Sequence, residues 1–166
     1  SNNVGWLEND GNSDPSFVSH ILSSDEDRAH GIDIADFDGD GDLDIASGQN
    51  LGGSRVTLFI NDGSADPTFS TYLVSTTESA IDVKFADIDN DGDIDLVSAD
   101  INTHSVTWHE NNNGSWTSNV ITTTATRVRG VDVADIDGDG DLDITSSSTN
   151  DACLLYTSPS PRDKRL

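Results

Sequence analysis

Short stretches in which apolar and polar residues alternate recur along the chain, and three of them stand just before an acidic segment. The alternation is clearest at three pairs of apolar positions: Ile32 and Ile34, Val83 and Phe85, and Val131 and Val133. A period of two residues predicts β-strands that are half-buried. No stretch keeps an apolar period of 3.6 residues, so we expect helices to play no part in the fold.

Three acidic windows of nine residues align without gaps and are spaced 51 and 48 residues apart. Each reads Asp-x-Asp-x-Asp-Gly-Asp-x-Asp, and they occupy 36–44, 87–95 and 135–143. Two other segments also repeat, one that leads into an Asn-rich turn and one that opens with an aromatic residue: 4–11, 56–63 and 106–111, and 17–22, 69–74 and 116–121. The chain is therefore an internal repeat, which is typical of solenoids and propellers.

Each repeat of about 50 residues contains four predicted strands, as one blade of a β-propeller does. The sequence thus predicts an all-β fold, a β-propeller fragment of four-stranded antiparallel blades with about three blade equivalents. We assign the C-terminal half of a blade to 1–22, complete blades to 29–74 and 80–121, and the N-terminal half of a blade to 128–150. Because propellers close with about four to eight blades, we expect the chain to be part of a larger propeller. Residues 152–166 depart from the pattern, and we expect a disordered or foreign tail there.

The charge of the chain limits its partners. With 31 Asp+Glu against 8 Lys+Arg, the formal net charge is −23. This charge argues against nucleic acids and anionic membranes, and no apolar run reaches the roughly 20 residues of a membrane span. Low hydrophobicity with high charge is also typical of disorder. However, the three windows hold 15 of the 31 acidic residues, which favours repeated cation sites over a solvated, disordered chain.

Each acidic window is a candidate calcium loop. Two carboxylates about 4 Å apart repel by about 4 kcal/mol at an effective dielectric of ~20, and a divalent cation removes that repulsion. Ca²⁺ accepts six to eight oxygen ligands in irregular geometry, whereas Mg²⁺ requires a strict octahedron and softer metals require Cys or His. We expect about three Ca²⁺ ions, one per loop, and the candidate ligands are Asp36, Asp38, Asp40, Asp42, Asp44, Asp87, Asp89, Asp91, Asp93, Asp95, Asp135, Asp137, Asp139, Asp141 and Asp143.

The positions within a loop suggest separate roles. We expect the side chains at positions one, three and five to converge on the ion and the ninth to close the cage. The seventh residue would offer its backbone carbonyl and turn its side chain to solvent. Position six is a glycine, which permits a sharp turn: Gly41, Gly92 and Gly140. An EF-hand needs Glu at position twelve and flanking helices, but serines stand there: Ser47, Ser98 and Ser146. A surface loop without metal is the remaining alternative.

The Asp-x-Asp-x-Asp-Gly-x-x-Asp loop between two strands resembles the FG-GAP/VCBS repeat, the calcium-bearing blade of the integrin α-chain propeller. The segments at 6–17 and 108–116 are also similar to VCBS-type blades of secreted bacterial proteins. The resemblance covers residues 1–150 and implies a seven-bladed propeller in the intact protein, with calcium ligands at the loop aspartates. The Phe-Gly and Gly-Ala-Pro elements of the integrin form are absent, which argues against an integrin-like partner.

Three functions stay open at this point. The first is a non-catalytic, calcium-binding scaffold that contacts extracellular proteins or glycans through loops on one face. The second is the accessory propeller of a larger secreted enzyme, such as a polysaccharide lyase or a phospholipase. The third is a lectin whose tryptophans stack on sugars, although Trp6 and Trp108 take equivalent strand positions that favour the core. Calcium loops of this kind suit the high calcium outside cells, so we expect a secreted or cell-surface protein.

The sequence offers no catalytic constellation. The four histidines do not recur at equivalent positions and have no metal-ligand spacing: His20, His30, His104 and His109. Aspartates held on Ca²⁺ have lowered pKa values and are poor proton carriers. We therefore expect no enzymatic activity in this segment.

Overall fold

The structure is a computed structural model, and it describes residues 3–24, 28–50 and 54–149 together with the backbone of 154–156. Within these residues every regular element is a β-strand, so the all-β prediction is confirmed. The strands are β1 Val4–Asn9, β2 Phe17–Ser23, β3 Ala29–Ala35, β4 Asp44–Gln49, β5 Arg55–Asn61, β6 Phe69–Ser75, β7 Ala80–Ala86, β8 Asp95–Asp100, β9 Ser105–Asn112, β10 Ser115–Thr122, β11 Val128–Ala134, β12 Asp143–Ser148 and β13 Leu154–Tyr156.

The strands form antiparallel sheets whose order follows the chain. β3-β4-β5-β6 makes the first blade and β7-β8-β9-β10 the second blade, each with four strands. β1 and β2 form a two-stranded sheet, the N-terminal half-blade, while β11 and β12 begin the C-terminal half-blade. Strand β3 packs against β7 and β7 against β11, so these are the inner strands of successive blades. The molecule is thus a propeller fragment, as its sequence predicts.

The hydrophobic core is divided among the seams between successive sheets. Val4 of β1 packs with Ile45 and Phe59 of the first blade. A second cluster joins the two complete blades, and its buried members are Ala46, Val56, Ala80, Val83 and Leu96. The third joins the second blade to the C-terminal half-blade, with Val97 and Val106 against Val131 and Ile144 among its members. Each sheet is therefore stabilised by the sheet before it and the sheet after it.

Backbones approach closely between the inner strands. A Cβ atom built on Gly31 of β3 would lie 2.3 Å from the Cα of Asp82 in β7. Asp82 also accepts a hydrogen bond from the Val131 N–H of β11 at 3.0 Å, and Asp33 of β3 accepts one from the Phe85 N–H of β7 at 2.8 Å. A carboxylate from one inner strand thus binds the backbone of the next. The period-two pattern could not reveal these contacts, because they join strands about 50 residues apart.

The off-pattern segment contributes one short strand. The backbone of Leu154–Tyr156 pairs with β12 and takes the position of a third strand in the C-terminal half-blade. The residues around it, 150–153 and 157–166, lie outside the described part of the chain, so the expectation of a disordered or foreign tail stays a prediction.

The close approach at Gly31 predicts that substitution by Ala affects the stability of the fold very differently at two equivalent glycines, Gly31 and Gly130. Gly31→Ala should destabilise the fold by about 1–3 kcal/mol, because a backbone atom of Asp82 cannot move aside cheaply. Gly130→Ala is the matched control, since its Cβ would meet only side-chain oxygens at 3.2 and 3.3 Å. Urea unfolding of both variants checks this. Equal midpoints for the two would contradict the close packing of β3 on β7.

Candidate metal centres

The three acidic loops adopt one backbone conformation. The glycine at position six has a positive φ of 97°, 97° and 96° in Gly41, Gly92 and Gly140, so its predicted role in the turn is confirmed. The fourth position is also left-handed, with φ of 75° at Gly39, 59° at Asn90 and 77° at Gly138. Asn tolerates this region better than most residues. The loop therefore needs two special positions, of which the sequence pattern indicated one.

The first aspartate of each loop holds the turn. Asp36 accepts the Gly41 N–H at 3.1 Å, and Asp87 accepts the N–H groups of Asp91 and Gly92, both at 3.1 Å. Asp135 makes the same bonds to positions five and six of the third loop. These bonds curl the loop so that later carboxylates point towards the first.

Three carboxylates come together in each loop. The clusters bring one oxygen of every member within 4.8 Å of the others: Asp36, Asp38 and Asp40; Asp87, Asp89 and Asp95; and Asp135, Asp137 and Asp143. The convergence predicted for positions one, three and five is thus present in the first loop. In the second and third loops the ninth residue takes the place of the fifth. Whether any of the fifteen aspartates binds an ion stays a prediction.

The ninth aspartate has a structural role that the sequence analysis missed. Asp95 is fully buried and accepts three hydrogen bonds, from the Ile88 N–H of its loop at 3.1 Å, the Asn111 N–H at 2.8 Å and the Trp108 Nε1–H at 2.9 Å. In the first loop Asp44, also fully buried, accepts the N–H groups of Phe37 and Asn61, both at 2.8 Å. We call this set of bonds the clamp, because it ties the loop to the third strand of its blade.

A signal for the clamp exists in the sequence. Asn9, Asn61 and Asn111 recur at the end of the same strand in every repeat, where they were interpreted only as turn residues. In the two complete blades the Asn side chain also donates to the backbone of loop position eight, from Asn61 to the Leu43 carbonyl and from Asn111 to the Ile94 carbonyl.

The seventh aspartate differs from its prediction. Its side chain was expected to face solvent, but Asp93 accepts the Asn113 N–H from the β9–β10 turn at 2.9 Å. The carboxylate of Asp42 lies against Gly63 in the corresponding β5–β6 turn. This residue connects the loop to the neighbouring hairpin because both turns lie at the same end of the blade.

The electrostatics of the loops favour a cation. Partial desolvation and the neighbouring carboxylate of Asp91 raise the pKa of Asp89, which lies at the surface, and burial raises the pKa of Asp44 and Asp95. A raised pKa in a carboxyl group means that its charged form is unfavourable in the fold. The buried Oδ1 of Asp36 has no hydrogen-bond partner among the described residues. An all-oxygen, acidic donor set with an unpartnered oxygen fits a hard divalent cation.

One histidine, His109, belongs to a buried polar cluster. His109 Nε2 lies 3.0 Å from Ser98 Oγ and 3.2 Å from Glu78 Oε2, and Nδ1 lies 2.9 Å from Ser118 Oγ. A Ser–His–Glu combination invites comparison with a hydrolase triad. However, Ser98 and His109 are both 0% exposed, so a substrate does not reach the Ser98 hydroxyl. The cluster is a buried group of polar side chains that hydrogen-bond with one another between β8 and β9, the second and third strands of the second blade.

Fold and loops together define a propeller-type module built from repeats that each carry an acidic, potentially metal-holding loop. The FG-GAP-like repeat model matches residues 1–47, 46–98 and 87–146, and the chain belongs to this family. Families of this kind generally serve as structural or binding modules of extracellular and cell-surface proteins. No curated protein matches the chain. The described residues contain no helix long and apolar enough to cross a membrane.

The clamp predicts that removing two aspartates of one loop changes the stability of the fold by very different amounts. In the presence of a chelator, Asp95→Ala should cost about 3 kcal/mol or more, because it leaves three donors unsatisfied at about 1–3 kcal/mol each. Asp89→Ala should stay within about 0.5 kcal/mol of the parent chain, since Asp89 is exposed and surrounded by other acidic groups. Denaturant unfolding in EDTA measures both. A large loss at Asp89 would contradict the division of roles.

Proposed function

We propose that this protein is a non-catalytic, calcium-binding propeller module that mediates contacts outside the cell. The observation that carries the proposal is the threefold recurrence of a convergent carboxylate cluster in one loop conformation. Calcium is the ion that fits best, because carboxylates crowd these loops and Mg²⁺ would retain most of its waters. Family membership supports the extracellular location and the binding role.

The loop face is the surface on which this module meets its partner. All three acidic loops and the three Asn-containing turns, β1–β2, β5–β6 and β9–β10, lie at the same end of the strands. Neighbouring strands run in opposite directions, and each of these connections follows the first or the third strand of a blade. The first and second loops line a groove of about 520 Å³, which Asp38, Asp93 and Asn113 border. Bound calcium would fix the shape of this groove and lower its negative charge.

Calcium should raise the melting temperature. An ion that binds only the folded state stabilises it by about 2.7 kcal/mol per site at a hundredfold excess over Kd, which corresponds to a shift of about 5 °C or more for a chain of this size. Differential scanning calorimetry in EDTA, in millimolar CaCl₂ and in MgCl₂ at the same concentration tests this. Identical curves in EDTA and CaCl₂ would refute the calcium proposal, and an equal shift in MgCl₂ would refute its selectivity.

A loop variant should remove one ion and leave the others. Isothermal titration of the parent chain should give about three Ca²⁺ ions per chain. Asp89→Ala should give two, because it deletes a ligand of the middle cluster only. Asp10→Ala is the control for a loss of one negative charge outside the loops. If Asp89→Ala still bound as many ions as the control, the middle cluster would not be a site.

One observation favours glycan binding as the more specific activity. An open cleft of about 270 Å³ lies between the two complete blades, beside the first acidic loop. Trp116 stacks on Phe37 with ring centroids 5.8 Å apart, and Tyr72, 56% exposed, lines the same cleft with Asp38. Aromatic rings with a few polar groups are the usual lining of a small-molecule site. A sugar ring could stack on these aromatics and donate its hydroxyls to Asp38.

A glycan array followed by fluorescence titration tests this activity. We expect a hit whose binding quenches tryptophan emission, with the quenching lost in Trp116→Phe and retained in Trp6→Phe, since Trp6 lies outside the cleft. Tyr72→Ala should weaken binding about tenfold, the effect of losing about 1.4 kcal/mol of contact. An array without hits would remove the lectin activity and leave the calcium proposal untouched.

A further inference from the structure

We propose that a cavity between the β8–β9 turn and the start of β11 is a binding site for a small carboxylate ligand of the size of one acidic sugar. The cavity has a volume of about 340 Å³, and the residues that line it are Ile101, Asn102, His104, Arg127 and Arg129. The acidic loops follow the first strand of each blade, so the start of β11 lies at the opposite end of the strands. This site is therefore separate from the proposed calcium loops and does not rest on them.

The first observation is a concentration of positive charge on an acidic protein. The chain has only 8 Lys+Arg and a net charge of −23, yet two of its arginines, Arg127 and Arg129, line this one cavity. Both residues are exposed, so a ligand can reach their guanidinium groups. A guanidinium presents its N–H donors as a rigid, planar fork that matches the two oxygens of a carboxylate. The cavity thus offers two such forks to one anion.

The acidic residue next to this turn is engaged elsewhere. Asp100, the last residue of β8, is 1% exposed. Its carboxylate accepts the N–H groups of Ser79 at 3.0 Å, Asn102 at 2.7 Å and Thr103 at 3.0 Å. These bonds direct its charge to the backbone of the turn, so Asp100 fixes the shape of the turn without offering its carboxylate to solvent.

The second observation is the fixed orientation of the histidine. His104 Nδ1 accepts the Arg127 N–H at 3.2 Å. Because a ring nitrogen that accepts a hydrogen bond carries no proton, the proton of the neutral imidazole is on Nε2. The Nε2–H group is then a third donor beside the two guanidinium forks.

The walls of the cavity are tied together without a ligand. Besides the bond to its ring, the His104 carbonyl accepts the N–H of Ala125, which is fully buried, at 3.0 Å. His104 and Arg127 also have positive φ angles of 60° and 53°, a region that residues with a Cβ seldom adopt. Such conformations persist where surrounding contacts hold them and are frequent at binding sites. A site whose walls are already in place pays less ordering entropy when a ligand binds.

The third observation is that the equivalent position one blade earlier is neutral. Ser54 precedes β5 as His104 precedes β9, and Ser79 precedes β7 as Arg127 precedes β11. There the two hydroxyl groups lie 3.0 Å apart, and Ile81 stands in place of the second arginine. The contact between successive blades therefore forms without charged residues at these positions. The cationic set is an addition to the repeat, which favours a role in binding over a role in folding.

The size and lining of the cavity favour an acidic sugar. Small-molecule sites span about 300–1,000 Å³, and this cavity is at the lower end of that range. Asn102 Nδ2 donates to Ser79 Oγ at 2.7 Å, which turns the amide so that its Oδ1 is an acceptor for a hydroxyl group. Ile101 supplies an apolar surface for the ring. The field of a protein with a charge of −23 disfavours polyanions more than a ligand with a single carboxylate.

Saturation-transfer NMR with D-glucuronate and D-glucose, both in EDTA, tests the proposal. D-glucuronate should bind saturably and D-glucose, which has the same ring without the carboxylate, should not. EDTA excludes a carboxylate that is held through Ca²⁺ in the acidic loops. The assignment is overturned if D-glucuronate does not bind, if D-glucose binds equally well, or if binding appears only in CaCl₂. Displacement of D-glucuronate by a lower concentration of inorganic sulfate would replace the acidic sugar by an inorganic anion and would overturn the proposed ligand.

Variants place the ligand in the cavity. Arg129→Gln should raise the Kd for D-glucuronate about tenfold or more, because it removes one charged fork. Arg129→Lys should lie between this variant and the parent chain, since it keeps the charge and loses the fork. Arg28→Gln is the matched control, because Arg28 precedes β3 as Arg127 precedes β11 and lies outside the cavity lining.

The control separates a local contact from an effect of net charge. Arg28→Gln changes the charge of the chain by the same amount and should leave the Kd within about twofold of the parent value. Urea unfolding should give the same midpoint for the parent and for both variants at Arg129, since this residue is exposed. Equal losses of affinity in Arg28→Gln and Arg129→Gln, or an unchanged Kd in Arg129→Gln, would show that the cavity is not the site.

Discussion

The fold depends on a buried carboxylate at the end of each acidic loop. Asp44 and Asp95 are 0% exposed, and both carboxylates accept N–H groups from their own loop and from the third strand. A buried carboxylate is tolerated only when several donors surround it, and here the Asn donors on the third strand lie 16 or 17 residues along the chain from the carboxylate. These bonds therefore couple the loop to the strand after it and to the hairpin beyond it.

Each acidic loop contains one carboxylate that protein donors hold and a group of carboxylates that lie close enough to repel one another. Its last aspartate is bound by protein donors and stabilises the blade without any ion, while Asp36, Asp38 and Asp40 converge with few such donors. The converging group raises the energy of the metal-free fold, as the raised pKa of Asp89 in the middle loop indicates. In the first loop these roles fall to different residues, whereas Asp95 and Asp143 of the second and third loops both accept a backbone N–H and belong to the converging cluster.

Much of this arrangement can be predicted from the sequence. The parts that cannot be predicted share one cause. The all-β fold and the positive φ of Gly41 depend on local pattern, which one repeat contains completely. Three contacts join segments that only the tertiary fold brings together: the clamp bond from Asn111 to Asp95, the bond from the Asn113 N–H to Asp93, and the bond from the Val131 N–H to Asp82 between neighbouring inner strands. Periodicity assigns a strand but not its neighbour in the next sheet. The recurrence of Asn9, Asn61 and Asn111 was the available clue, and it is informative only once β4 and β5 are known to be adjacent.

The distribution of charge gives the two ends of the blades different properties. The acidic loops lie at one end, whereas Arg28, Arg127 and Arg129 lie before or at the start of inner strands, at the opposite end. Ions bound in the loops would change the potential at the first end strongly and at the second weakly, because screening limits such effects to about 8–10 Å at physiological salt. A partner on the loop face would therefore meet a surface whose charge depends on the proposed ions, and its affinity would be linked to their occupancy. A partner on the arginine end would bind independently of calcium, so the calcium dependence of binding identifies the face that a partner uses.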